Sequence, residues 1–268
     1  MQRRAALFPL FLCLGLLGAN AAAQPAPGLP KTVRLAMEGG YPPFSIVAPN
    51  GQITGFDADI ANEICKRIQV TCTQVQVEFD AMIPALRAKK VDAIVASMSI
   101  TPERQKAVDF SDKYYNTPAR VVTKADAKFE ITPEGLKGRK IGVQRNTIHD
   151  RYATATFKGS EIVRYSKQDE VFLDLVNGRI DATLADVVAI DQGFLKTPKG
   201  VGFALRGPNF DDPAYFGAGA GIALRKGDKA LQQAINGALA SLRADGTYKR
   251  INDKYFSFDI YGADAPKK

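Results

Sequence analysis

The chain has 268 residues, 46% of them hydrophobic and 24% charged, with a formal net charge of +8. Those proportions are those of a soluble globular protein, with enough chain for one large domain or two of ordinary size. The basic residues are scattered rather than blocked, so no nucleic-acid or membrane partner is indicated.

At the N-terminus, Arg3 and Arg4 precede an apolar run from Leu7 to Leu17 and then Ala21, Ala22 and Ala23. This order predicts a secretory signal peptide over residues 1–23, cleaved after Ala23, and a periplasmic mature protein. The run is too short to span a bilayer, and no later segment approaches ~20 apolar residues. A lipid anchor on Cys13 is opposed by the bulky Phe11 and Leu12 before it. Loss of Cys13 leaves Cys65 and Cys72, seven positions apart. In an exported chain they read as one local disulfide. The alternative is a metal site, but two thiols without a nearby histidine make only half of one. No metal or cofactor is otherwise expected.

Residues 24–30 read as a flexible leader. Val33 to Met37 predicts a strand, closed by Glu38-Gly39-Gly40-Tyr41-Pro42-Pro43-Phe44, where Gly and Pro force a loop. Ligands usually bind at the carboxyl ends of strands in open α/β sheets, which marks Glu38 and Tyr41. A solvated acid and a tyrosine packed on Pro42 are the plainer alternative. Asn50-Gly51 is a turn, and Asp57 is placed to cap a helix whose stripe is Ile60, Ile64 and Ile68. Thr71 to Val77 alternates as a strand. Phe79 and Asp80 precede a second helix through Met82, Ile83 and Leu86.

Ala93-Ile94-Val95 then carries the chain into Ala96-Ser97-Met98-Ser99, followed by Thr101 as a helix N-cap and Pro102 at the first helical position. Such a junction offers free N–H groups, serine hydroxyls and the Arg104 guanidinium, all suited to a carboxylate. A βα turn that satisfies its own backbone is the bland alternative. Arg179 to Asp186 echoes Lys90 to Ser97, 89 positions later, which points to two lobes built alike.

Thr132-Pro133 is expected to open a short helix. Lys140 to Val143 predicts a strand running into Gln144-Arg145-Asn146-Thr147-Ile148-His149, a second junction of the anion-friendly kind. His149 has no paired nucleophile nearby and reads as structural or solvated. Asp186 ends its strand, either as a cap or as a charged group facing a ligand. The alternating glycines of Phe216 to Leu224 suit a hinge. A long helix through Leu231, Ile235 and Leu242 ends at Asp245-Gly246, and a last helix runs into Tyr255-Phe256.

From about Val33 to Tyr261 the chain resembles the exported two-lobed receptors of polar amino-acid ABC importers, in particular the lysine/arginine/ornithine/histidine branch. The resemblance is carried by Gly39 to Phe44, Gly55 to Ile60, Cys65 with Cys72, Phe79 to Pro84, Ser97 to Arg104 and Asp245 to Tyr248. It implies a type II periplasmic-binding-protein fold, two α/β lobes on a two-segment hinge. Residues 31–116 with 220–268 would form one lobe and 117–219 the other. It also implies a monomer that binds a basic or polar L-amino acid and delivers it to an inner-membrane permease, without catalysis.

In the site so implied, Arg104, backbone N–H groups near Ser99 and the Thr147 junction hold the α-carboxylate. Asp186 and groups around Ser97 hold the α-ammonium. Tyr41 and Phe79 sandwich the alkyl arm, Glu38 meets the distal charge, and Ala96, Met98, Gln144 and Ile148 complete the lining. Three residues depart from the family pattern: Glu38 stands where lysine binders tend to have aspartate, Ala96 where serine is frequent, and Asn146 where glycine is usual. An opine or another polar amino acid is the alternative ligand. An exported dehydratase of prephenate-like acids on the same scaffold would need more cationic groups and a positioned acid.

Overall fold

A computed structural model describes residues 28–262; the expected signal peptide, residues 24–27 of the leader and residues 263–268 lie outside them. Strands β1 (Thr32–Met37), β2 (Gly40–Tyr41), β3 (Ser45–Val47) and β4 (Ile53–Thr54) lead into helix α1 (Phe56–Arg67) and strand β5 (Thr71–Gln76). A 3-10 turn at Phe79–Ala81, α2 (Met82–Arg87), β6 (Ala93–Ile94), α3 (Pro102–Ala107) and β7 (Asp109–Tyr115) follow. The chain continues through β8 (Ala119–Lys124), β9 (Lys140–Gln144), α4 (Ile148–Thr156), β10 (Glu161–Tyr165) and α5 (Gln168–Val176). After β11 (Ala182–Asp186), α6 (Val187–Ile190), β12 (Phe203–Phe210) and α7 (Pro213–Phe216) come β13 (Ala220–Leu224), α8 (Lys229–Ala244) and α9 (Thr247–Tyr255).

Two five-stranded sheets of matching design organise these elements, in the orders β5-β1-β6-β13-β7 and β10-β9-β11-β8-β12. In each, three parallel strands are continued by antiparallel ones. Each sheet is covered by helices on both faces: α1, α8 and α9 against α2 in the first, α4 and α7 against α5 in the second. The result is a two-lobed α/β fold. The chain crosses between the sheets after β7 and returns after β12.

The internal echo in the sequence has a physical cause. Asp92 accepts the Arg34 backbone N–H at 2.9 Å, and Asp181 accepts that of Lys140 at 2.8 Å. Each aspartate also donates its own N–H to the same neighbour's carbonyl at 2.8 Å. The pair clips the start of β6 to β1 and of β11 to β9. Both central strands therefore deliver a polar residue, Ser97 or Asp186, to the same end of their sheet. Arg34 reinforces the first clip with two side-chain bonds of 2.9 Å to Asp92, and Arg225 adds another at 3.1 Å.

Ile60 and Ile64 are buried in the α1 stripe as the spacing predicts. Cys65 and Cys72 form a disulfide with Cα atoms 6.1 Å apart, so neither thiol is free for a metal. Three local expectations change. The side chain of Asp57 caps nothing; α1 starts from Gly55 without a side-chain cap. The Thr132 segment is a set of turns rather than a helix, with the Thr132 hydroxyl accepting from the Gly135 N–H at 3.0 Å. Only the second half of the glycine-rich stretch is a strand, the buried β13 between β6 and β7; Phe216 to Gly219 lie in the return crossing. Gly219 precedes it at φ +104, where a side chain would lie 2.7 Å from the Tyr115 carbonyl.

The clip has a measurable pH signature. The Arg34 guanidinium foremost, with the Arg34 N–H and Arg225, holds the Asp92 carboxyl down to about 2. Its contribution is complete above pH ~4 and disappears as pH falls through ~2. Urea unfolding of Asp92→Asn should show a loss of roughly 1.5–3 kcal/mol at neutral pH, shrinking toward zero in that acid window.

Candidate functional site

The carboxyl ends of β1 and β6 face those of β9 and β11 across the space between the lobes. Two adjoining cavities lie there. Glu38, Phe79, Ala96, Arg104, Gln144 and Thr147 line the first; Asp186, Tyr115 and Thr117 line the second. Tyr41, Ser97, Ser99, Ile148 and His149 belong to both walls. Met98 lines neither: its side chain is buried in the first lobe's core and its carbonyl accepts from Gly221 at 3.0 Å.

Arg104 sits in the first turn of α3, whose start is fixed by Thr101: the threonine hydroxyl accepts the Arg104 N–H at 3.3 Å, with Pro102 next in line. The guanidinium donates to two backbone carbonyls, Ser99 at 3.0 Å and Asn146 of the other lobe at 3.3 Å, and lies 5.3 Å from the centre of the Phe79 ring. Among the described residues no carboxylate forms an ion pair with it. Burial pushes its pKa down to about 10, with the Arg151 charge adding to the effect. The opposite junction is capped by Thr147, which accepts the Asp150 N–H at 3.2 Å and donates to the Gln144 carbonyl at 2.7 Å. Asn146 holds φ +60 there, a left-handed conformation that asparagine tolerates.

His149 lies in the same walls. Burial, then the nearby Arg104 charge, pushes its pKa down to about 3, so the imidazole is neutral.

Ser97 adopts φ +52, a strained value for a serine. A buried network holds it: the Ser97 N–H donates to the Tyr114 hydroxyl at 2.9 Å, that hydroxyl donates to Asp57 at 2.8 Å, and Ser97 Oγ donates to the same carboxylate at 3.1 Å. This is where the side chain of Asp57 goes. Burial raises its pKa to about 7, against the Tyr114 and Ser97 bonds.

Asp186 does cap α6, accepting from Val188 at 2.8 Å and Ala189 at 3.4 Å, and its second oxygen accepts from the Thr117 hydroxyl. Burial moves it up to about 6. Glu38, only 3% exposed at the end of β1, accepts from Gln144 Nε2 at 2.7 Å, and burial raises it to about 8. One half-buried cation thus shares two adjoining cavities with two buried acids, Glu38 and Asp186.

Ion pairs close the rim around these groups. Arg145 reaches Glu78 at 2.7 Å and Asp80 at 2.6 Å, and Arg151 reaches Glu103 at 2.6 Å. Gly193 packs so close to the first lobe that a side chain would stand 2.6 Å from the Pro42 carbonyl. Tyr114, Tyr115, Thr117 and His149 were not among the expected site residues. For Tyr115 and Thr117 the signal was position, since both lie where the chain crosses between lobes. Among the described residues no group of three His, Cys, Asp or Glu side chains could hold a metal ion.

A cleft between two α/β lobes, lined by the Arg104 guanidinium and by the acids Glu38 and Asp186, is the form of a site that encloses a small polar molecule. Residues 33–258 match the bacterial extracellular solute-binding proteins, family 3, and the chain belongs to that family. It is 51% identical to an L-arginine-binding protein of Pseudomonas aeruginosa over 93% of this chain and 97% of that protein. It is 46% identical to a lysine/arginine/ornithine-binding periplasmic protein of Escherichia coli K12, over 92% and 96%. Among solved structures, a Salmonella typhimurium periplasmic binding protein described for high arginine specificity aligns with a TM-score of 0.79 and 37% identity, covering 85% of this chain and all of that one.

The neutral state of His149 is directly observable, because it is the single histidine of the chain. Its imidazole NMR signals should show no titration between pH 5 and 8; a midpoint near 6.5 would mean the ring is solvated.

Proposed function

We propose that this protein is a periplasmic receptor that binds a basic L-amino acid (arginine, lysine, ornithine or histidine) and delivers it to an inner-membrane ABC permease. The observation that carries the reading is the charge layout: a half-buried guanidinium with no carboxylate partner among the described residues at one end, and the buried acids Glu38 and Asp186 elsewhere in the same cleft. Desolvated charges need partners, and a zwitterion with a cationic arm supplies all of them.

Arg104, with the Ser99 and Thr147 junctions, takes the α-carboxylate. Asp186 and Ser97 take the α-ammonium. Tyr41 and Phe79 flank the arm, and Glu38, beside Gln144, takes the distal charge, with Ala96 and Ile148 shaping the wall. The lobes are residues 31–116 with 220–268 and residues 117–219, turning about the two crossing segments. The receptor acts as a monomer after cleavage behind Ala23. Closing around the ligand changes the outer surface, which lets a permease distinguish loaded from empty protein. The names of the relatives support a transport role over catalysis.

Calorimetry on refolded, ligand-free protein tests the roles. Arg104→Ala should weaken every amino acid alike, by about tenfold or more, since each keeps its α-carboxylate. Glu38→Gln should weaken arginine and lysine by a similar factor and spare uncharged ligands. Wild-type affinity in Arg104→Ala would sink the carboxylate assignment.

A further inference from the structure

Asp57 is a buried acid that the receptor reading does not use. Placed in the first turn of α1, it is 0% exposed and lines neither cavity. Among the described residues it has no cationic partner; two hydroxyls hold it, Tyr114 at 2.8 Å and Ser97 Oγ at 3.1 Å. The bonding fixes where each hydrogen points. The Ser97 N–H donates to the Tyr114 oxygen at 2.9 Å, so the Tyr114 hydrogen is directed to the carboxylate. An ionised carboxylate only accepts, so the Ser97 hydroxyl also spends its single hydrogen on Asp57. Ser97 lines both cavities, and what its oxygen has left for them is lone pairs.

We propose that Asp57 is a positioning residue for the ammonium end of the ligand: by taking the Ser97 hydrogen it leaves Ser97 Oγ able only to accept, and so favours an α-ammonium over an α-hydroxyl. This rests on the amino-acid-receptor reading above and deepens it at the end where Asp186 lies. An ammonium has N–H donors and no lone pair, so it takes acceptors alone. A hydroxyl has one hydrogen, and between two acceptors it satisfies only one of them. Asparagine at this position would be nearly the same size, would still accept from Tyr114, and would avoid the cost of burying a charge. It would differ at one bond: its NH2 group would donate to Ser97 Oγ and turn the serine hydrogen toward the cavity. The carboxylate is therefore the group that sets the polarity of Ser97.

The surroundings suit this role. Ser97 is held at φ +52 with its N–H on Tyr114, so its hydroxyl keeps one place between Asp57 and the cavities. Asp57 lies at the positive end of the α1 dipole, which favours the ionised form. Asp186 is the charged group that opposes that form, and Asp57 in turn acts on Glu38. A cation seated between Ser97 and Asp186 offsets the repulsion, so ligand binding and the ionised state of Asp57 support each other.

Calorimetry with L-arginine and its α-hydroxy analogue on wild type, Asp57→Asn, Ser97→Ala and the double variant tests this, with urea unfolding as the check on folding. Asp57→Asn should lose about tenfold or more in arginine affinity while the hydroxy analogue stays within about threefold or gains, so that the preference for the amino compound falls. Added to Ser97→Ala, the same substitution should cost less than about threefold, because the hydroxyl through which it acts is gone. In arginine-saturated wild type the Asp57 carboxyl carbon should keep its ionised NMR shift at neutral pH, a measurement that needs no variant to fold. Unchanged arginine affinity, equal weakening of both compounds, a tenfold cost retained in the Ser97→Ala background, or a protonated Asp57 in the complex would overturn the role given to Asp57 and leave the receptor reading intact. If wild type binds no basic amino acid, the receptor reading itself falls, and this inference with it.

Discussion

The constraint on which the rest depends is the charge of Arg104, half-buried between the lobes without a carboxylate partner among the described residues. A guanidinium carries five donors and a permanent charge, and here two of those donors meet backbone carbonyls, one from each lobe. Carbonyl dipoles satisfy hydrogen bonds but do not neutralise a charge, and His149, neutral in the same wall, adds none. The position of Arg104 is set by the fold around it: Thr101 fixes the start of α3, and Phe79 lies beneath the guanidinium. The arrangement is incomplete as protein alone and becomes complete with an anion.

The acids form the counterpart, and each is held differently. Asp57 accepts two bonds, from the Ser97 and Tyr114 hydroxyls, and through that network, in which the Ser97 N–H donates to Tyr114, it fixes the strained Ser97 backbone. Asp186 is shared between the start of α6 and Thr117. Glu38 has one side-chain donor, Gln144, which comes from the other lobe. The more of a carboxylate's lone pairs the protein satisfies, the less it gains from a ligand. By that ordering Glu38, with a single donor, has most to gain from a cation, while Asp57, which lines neither cavity, is a structural group.

Much of this was legible in the sequence because it is local. Thr101-Pro102 and Thr147 are caps that specify their junctions within four residues, and the junctions place Arg104 and the Asn146 carbonyl. The repeat of Lys90 to Ser97 in Arg179 to Asp186 was visible because each copy needs an aspartate to clip a parallel neighbour. What was not legible depends on partners distant in the chain. Asp57 reads as a cap, since nothing near it announces Tyr114, 57 positions on. Met98 reads as a wall residue from its place in the junction, whereas its side chain packs into the core of the first lobe. The glycines before Leu224 read as flexible, but β13 is enclosed by two strands and its glycines answer to close packing.

The same distinction separates the two ends of the cleft. The end around Arg104 is built from caps and backbone groups; on the proposed reading an L-amino acid engages them through its α-carboxylate, so that end would not tell one side chain from another. The end around Glu38 is built from side chains brought together only by tertiary structure, one from each lobe. A substitution at Glu38 or Gln144 alters one or two side-chain hydrogen bonds and leaves the junctions, the clips and the cores untouched. A change of ligand within this architecture is therefore cheapest at the end where the sequence is least informative about structure, because no local rule of helix or strand formation constrains those two positions.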